Sequence, residues 1–263
     1  MRRRIEAVIK KKLQESSGEI VFASLFGSYR RGDYDVFSDV DVFVVCADGD
    51  EKPFISRELK SLEHDLNRSV HINLFTRREF EDRLRLHDYL TLSIIEDSSF
   101  IFGSKEFFVK AKQNALKGHP DERSIRFNRD RGFETLKRVY SNFSKLDSSG
   151  FNPHKDLLNY VLKGLNDYRL GLGYLYASVQ MHSSGRSISP ACLEQTGFGS
   201  SLKDIAYLEK IIKRRSIDYS TLREITSEIK DKSLRILCPV ETRLEDQSFL
   251  LNLPRVKTLL KRT

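Results

Sequence analysis

The first hundred residues alternate two apolar rhythms. "EIVFASLF" (19–26), "SDVDVFVVC" (38–46), "SVHINLF" (69–75) and "SFIFG" (99–103) are short runs rich in β-branched and aromatic residues, and they predict strands. Between them the apolar spacing lengthens to that of a helix. Ile5, Val8, Ile9 and Leu13 share one face of an N-terminal helix. "PFISRELKSLEHDLN" (53–67) opens on a proline suited to a first helical turn, and "EFEDRLRLHDYLTLSIIED" (79–97) continues the pattern. Helices placed between strands predict a small mixed sheet covered on one side by helices.

Past residue 105 the strand pattern stops. In "RGFETLKRVYSNFSKL" (131–146), Phe133, Leu136, Val139, Tyr140 and Phe143 recur at helical intervals. In the segment 154–182 the same period runs through Leu158, Val161, Leu165, Tyr168, Leu172, Leu175 and Val179. Three further periodic segments follow, near 201–214, 221–238 and 247–261, after a loop at 182–201. The expected fold class is therefore α+β: a small mixed β-sheet domain with helices over 1–105, followed by an all-α helical bundle over 106–263.

Composition narrows the partners. A formal net charge of +8 leans toward an acidic ligand such as a nucleotide or RNA. The basic stretches 210–216 and 260–263 suit phosphates or a solvated helix face about equally. Three scattered cysteines, Cys46, Cys192 and Cys238, give neither a metal-ligand spacing nor a disulfide framework. No apolar run reaches the roughly 18 residues that span a bilayer, and the basic N-terminus lacks the apolar core of a signal peptide. A cytoplasmic protein without a membrane partner is expected.

The chemistry concentrates in "SLFGSYRRGDYDVFSDVDVF" (24–43). A strand ending at Gly27-Ser28 offers backbone amides and a hydroxyl to an anion, with the glycine allowing close approach. The P-loop is excluded, because Gly-Lys-Ser/Thr is absent. Asp39 and Asp41 stand two residues apart on a strand, so their carboxylates share one face at about 7 Å along the chain. Two such carboxylates repel unless a cation or proton intervenes, and hard divalent ions with phosphate oxygens are the usual partners.

Together these residues resemble the signature of the DNA polymerase β-like nucleotidyltransferase superfamily, of the minimal nucleotidyltransferase type. The matching positions are Phe26, Gly27, Ser28, Arg31, Gly32, Ser38, Asp39 and Asp41. The resemblance implies a nucleotidyltransferase domain over 1–105 that moves a nucleoside monophosphate from a triphosphate to an acceptor hydroxyl. It implies Asp39 and Asp41 as catalytic ligands of Mg²⁺ (or Mn²⁺), and Gly27, Ser28, Arg30, Arg31 and Ser38 as nucleotide-binding residues. Active relatives add a third acid from a neighbouring strand. In "SVHINLF" the outward positions are His71 and Asn73, the candidates for that third place, and neither is acidic. Glu63, Asp65, Asp33 and Asp35 lie close by in sequence, and alternation selects none of them.

That absence supports an alternative: a catalytically weakened or inactive nucleotide- or RNA-binding regulator, one half of a toxin–antitoxin-like pair. The helical half resembles a HEPN bundle in size and helical content, but it lacks the Arg-to-His spacing of HEPN ribonucleases. The expected partners are a nucleoside triphosphate and an acceptor among RNA, protein and small molecules, with RNA slightly favoured by charge. A homo-oligomer stays open.

Overall fold

The structure is a computed structural model that describes residues 2–16, 19–35, 38–115, 117–148, 155–186, 202, 205–209, 211–212 and 219–237. It divides into two compact units, Met1–His119 and Pro120–Thr263. The expected helix near 247–261, the basic stretch 260–263, most of the loop 182–201, Cys192 and Cys238 lie outside the described residues.

The first unit is built on a mixed sheet of β1 (Ile20–Phe26), β2 (Val40–Cys46), β3 (Val70–Thr76) and β4 (Ser99–Gly103), in the order β3-β2-β1-β4. β1 runs antiparallel to β2 and β4, while β2 and β3 are parallel. A parallel pair needs a crossover, and here it is made by α3 (Lys52–Lys60) and α4 (Leu62–Leu66). α4 stops where Asn67 turns left-handed at φ 49°.

Helices cover both faces of this sheet, where one covered face was expected. On one face α1 (Arg2–Glu15) brings Ile5, Ile9 and Leu13, and α3 and α4 bring Ile55, Leu59 and Leu62, onto Ala23, Leu25, Val40, Val42 and Val44. The other face carries Phe22, Phe43 and Val45 under Phe80, Leu92, Ile95 and Phe108. These last four come from α5 (Arg77–Arg85), α6 (Tyr89–Glu96) and α7 (Lys105–Asn114). The reason lies in β2, whose residues from Val42 to Cys46 are all fully buried. A strand that is apolar on both sides has to be covered twice.

Phe22 is the hub of the second face. Its ring lies 5.5 to 5.9 Å from those of Phe43, Phe80, Phe107 and Phe108. Truncating it removes a fully buried ring and leaves a cavity that four aromatic neighbours cannot fill. Phe22→Ala is expected to lower unfolding free energy by about 3–5 kcal/mol, read from chemical denaturation.

The single helix expected over 79–97 is two. α5 starts early because Thr76 caps it, accepting from the Glu79 amide while Glu79 returns a carboxylate to the Thr76 amide. Asp88 then caps α6 by accepting from the Thr91 amide at 3.0 Å, and His87 before it takes φ 48°.

In the second unit, α8 (Glu122–Ser148) packs against α9 (Lys155–Ser184) and α10 (Tyr219–Leu237). Leu136, Val139 and Phe143 on α8 and Val161, Leu165, Tyr168, Leu172 and Leu175 on α9 are buried, as their spacing predicts. α8 begins nine residues ahead of the expected segment because Asp121 caps it, accepting from the Ser124 amide and hydroxyl, each at 2.7 Å. Among the described residues no helix is long and apolar enough to cross a membrane.

Candidate functional site

Strand register sets the site. Antiparallel pairing puts Phe26, the last residue of β1, opposite Asp41 of β2. Gly27 follows at once, with φ +71°, and opens the short helix α2 (Gly27–Arg31). Its Cα is so close to Asp41 that an added Cβ would overlap the carboxylate oxygen Oδ2. On the far side of β2, parallel pairing sets His71 of β3 in register with Asp41. Gly27, Asp41 and His71 thus form a row along one end of the sheet.

His71 Nδ1 lies 3.3 Å from Asp41 Oδ1, with side-chain exposures of 61% and 23%, so the pair faces solvent from the imidazole side. Asn73 pairs with Phe43, one pleat deeper, and stands away from the carboxylate. Of the two candidates, His71 is the one brought to Asp41. Its pKa is raised, first by the hydrogen bond to Asp41 and further by the charges of Asp41 and Asp39, against the opposing effects of desolvation and Lys60. A raised imidazole pKa stabilises the fold at pH below the ordinary imidazole value, and that contribution is lost as pH rises through the folded value. In metal-free protein the His71 ring, followed by NMR, is expected to titrate above the ordinary value. In Asp41→Asn its midpoint is expected to fall, because the leading cause is gone.

Ser38 serves the loop: its hydroxyl donates to Asp35 Oδ1 at 3.0 Å and accepts from the Asp35 amide at 2.9 Å. Asp39, half-buried, immediately precedes β2 instead of lying within it. Ser28 is half-buried beside Gly27, and its carbonyl accepts from Gly32, whose φ of +86° closes α2. The neighbouring acids are engaged elsewhere. Glu63 accepts from Lys60 and from the Val70 amide, Asp33 faces Arg31, and Asp65 faces His64.

Asp97, the last residue of the helix expected over 79–97, joins the row from the other side. It follows α6 and leads into β4, where Oδ2 accepts from the Gly27 amide at 3.0 Å and from Arg31 Nη1 at 2.6 Å. Its Oδ1 accepts from Arg30 Nη1 at 3.3 Å. Both arginines expected to meet phosphate are thus held by one carboxylate.

Among the described residues no three His, Cys, Asp or Glu side chains converge as a ready metal cage. Magnesium seldom needs one, since it is usually held by one or two carboxylates with substrate phosphates and water completing the shell. Asp39 and Asp41 fit that pattern for one ion, and the row offers no carboxylate at position 71 for a second.

Residues 6–101 match the nucleotidyltransferase domain family. This segment is a nucleotidyltransferase domain. A search among curated proteins returned no match. Solved structures similar to the chain include a toxin–antitoxin structure with AMP-PNP, 20% identical, with TM-score 0.33, covering 42% of this chain and 82% of the other. Another is the Enterococcus faecialis spectinomycin adenyltransferase AAD(9) with ATP and spectinomycin, 13% identical, with TM-score 0.45, covering 88% and 99%. A nucleotidyltransferase-like protein from Exiguobacterium sibiricum is 11% identical, with TM-score 0.33, covering 99% and 89%. The family match lies within the first unit, and the likeness of the helical unit to a HEPN bundle gains nothing from it.

Proposed function

We propose that the nucleotidyltransferase domain transfers a nucleoside monophosphate from a triphosphate to an acceptor hydroxyl. The observation that carries this reading is the row of Gly27, Asp41 and His71: a left-handed glycine turn, a carboxylate and an exposed imidazole side by side. Asp39 and Asp41 would hold Mg²⁺ or Mn²⁺. When bound, the ion offsets triphosphate charge and favours ionisation of the acceptor hydroxyl.

The chain's own residues supply position and charge. The Gly27-Ser28 turn lets the phosphate chain come close to the sheet end, and Arg30 and Arg31 oppose its negative charge. His71 keeps Nδ1 toward Asp41, which leaves Nε2 to take the proton of the acceptor hydroxyl. That oxygen bonds to the α-phosphorus, the bond to the bridging oxygen breaks, and pyrophosphate leaves with the electron pair.

Each of the four α-labelled nucleoside triphosphates, incubated with the protein, Mg²⁺ or Mn²⁺ and cell extract, should reveal the acceptor class. Label is expected on RNA, protein or a small molecule, with RNA favoured by the chain's charge. No transfer from any of the four would overturn the reading.

A second reading follows from the imidazole at position 71, where active relatives carry an acid: a nucleotide- or RNA-binding regulator that does not turn over. Calorimetric binding of triphosphate with no label transferred would select it.

A further inference from the structure

Asp97 stands at the junction of α6 and β4, and its side chain is 24% exposed. Its three hydrogen bonds all reach the segment 27–31, which lies more than sixty residues away in sequence. The backbone around it is pinned. Lys112 of α7 donates to the carbonyls of Glu96 and Ser98 at 2.8 and 3.0 Å, one on each side of Asp97. The Asp97 amide itself donates to the Ser93 carbonyl at 3.2 Å. Lys112 is half-buried there, and burial lowers its pKa.

We infer that Asp97 is a positioning residue for triphosphate recognition, holding Arg30, Arg31 and the Gly27 turn in the arrangement that meets the phosphate chain. The inference rests on the proposed nucleotide site. Two guanidinium groups on successive residues repel one another, and long side chains on a surface helix sample many rotamers. A single carboxylate that accepts from both offsets the repulsion and selects one orientation for each. The same carboxylate holds the amide of Gly27, so the turn that touches Asp41 and the two cations move as one body.

The charge balance makes the role testable. Asp33 Oδ1 lies 3.5 Å from Arg31 Nε, so a second carboxylate also faces the arginine pair. Removing the Asp97 charge makes the cluster more positive. A site working by net charge alone would then bind triphosphate more tightly, and a positioned site would bind it less tightly.

Mg²⁺·ATP and Mg²⁺·tripolyphosphate are titrated calorimetrically into the full-length protein, Asp97→Asn and Asp97→Glu, with thermal melting run in parallel. The expected result is a Kd about tenfold weaker for both probes in Asp97→Asn, with part of the affinity restored in Asp97→Glu. Unchanged or tighter binding by a folded Asp97→Asn overturns the inference, as does a lowered melting temperature with unaltered Kd, the signature of a merely structural bond. If Asp97→Asn does not fold, Lys112→Gln loosens the same junction and is expected to weaken both probes; unchanged affinity there overturns the inference equally. Failure of the unaltered protein to bind either probe removes the nucleotide reading and this inference together. Binding by the unaltered protein that the variants match removes this inference alone.

Discussion

Replacing Asp41 by asparagine is expected to reduce nucleotide transfer by about 10³-fold or more while leaving the fold intact. The side chain keeps its shape but loses the charge that would hold a divalent ion and orient His71. The hydrophobic cluster beneath it begins at Phe43 and does not involve position 41. At pH above the His71 midpoint, relief of the repulsion between Asp39 and Asp41 should leave the thermal midpoint unchanged or slightly raised; at lower pH, loss of the His71–Asp41 pair should lower it. Initial rates of label transfer check the effect, with circular dichroism confirming the fold. A variant that keeps a tenth or more of the original rate would remove the carboxylate pair from the mechanism.

Gly27→Ala is expected to damage both stability and activity. At φ +71° an alanine pays about 1–2 kcal/mol for the left-handed backbone alone. Its methyl group would also occupy the space of Asp41 Oδ2, so either the turn or the carboxylate has to move. Misplacing a reacting group by about 1 Å is enough to cost on the order of 10²-fold in rate. Gly32→Ala provides the control, because Gly32 has a similar φ of +86° but open space around the missing Cβ. It should show the backbone penalty in denaturation experiments and much less loss of transfer. Equal rate losses in the two variants would mean that contact with Asp41 is irrelevant.

The parts legible in the sequence were those fixed by local pattern. Alternation located the strands to within two residues, because Val40, Val42 and Val44 on β2, and Val70, Ile72 and Leu74 on β3, all feed one hydrophobic cluster. The same alternation set His71 and Asn73 on the opposite face, but only strand register could choose between them. The second covered face had a signal, the unbroken apolar run "VFVVC", whose early alternation in "SDVDV" drew attention to one side only. The break between α5 and α6 turned on Asp88, a cap followed three residues later by its donor Thr91. Asp97 was hidden for a different reason. Its partners are distant in the chain, and a helical pattern running to residue 97 gives no hint of which arginines its carboxylate will meet.

The pairing of His71 with Asp41 also bears on how this domain could change over time. Position 71 needs only to be outward-facing on β3: Val70, Ile72 and Leu74 hold the strand, and the imidazole adds no packing to either cluster. A single-base change in a histidine codon yields aspartate, and the register would set that carboxylate directly beside Asp41. Three acids would then crowd one end of the sheet, and the folded domain would lean on bound divalent ions to relieve them. Heat resistance would become a readout of metal supply. One exposed residue therefore sets how strongly the folding of this domain answers to magnesium.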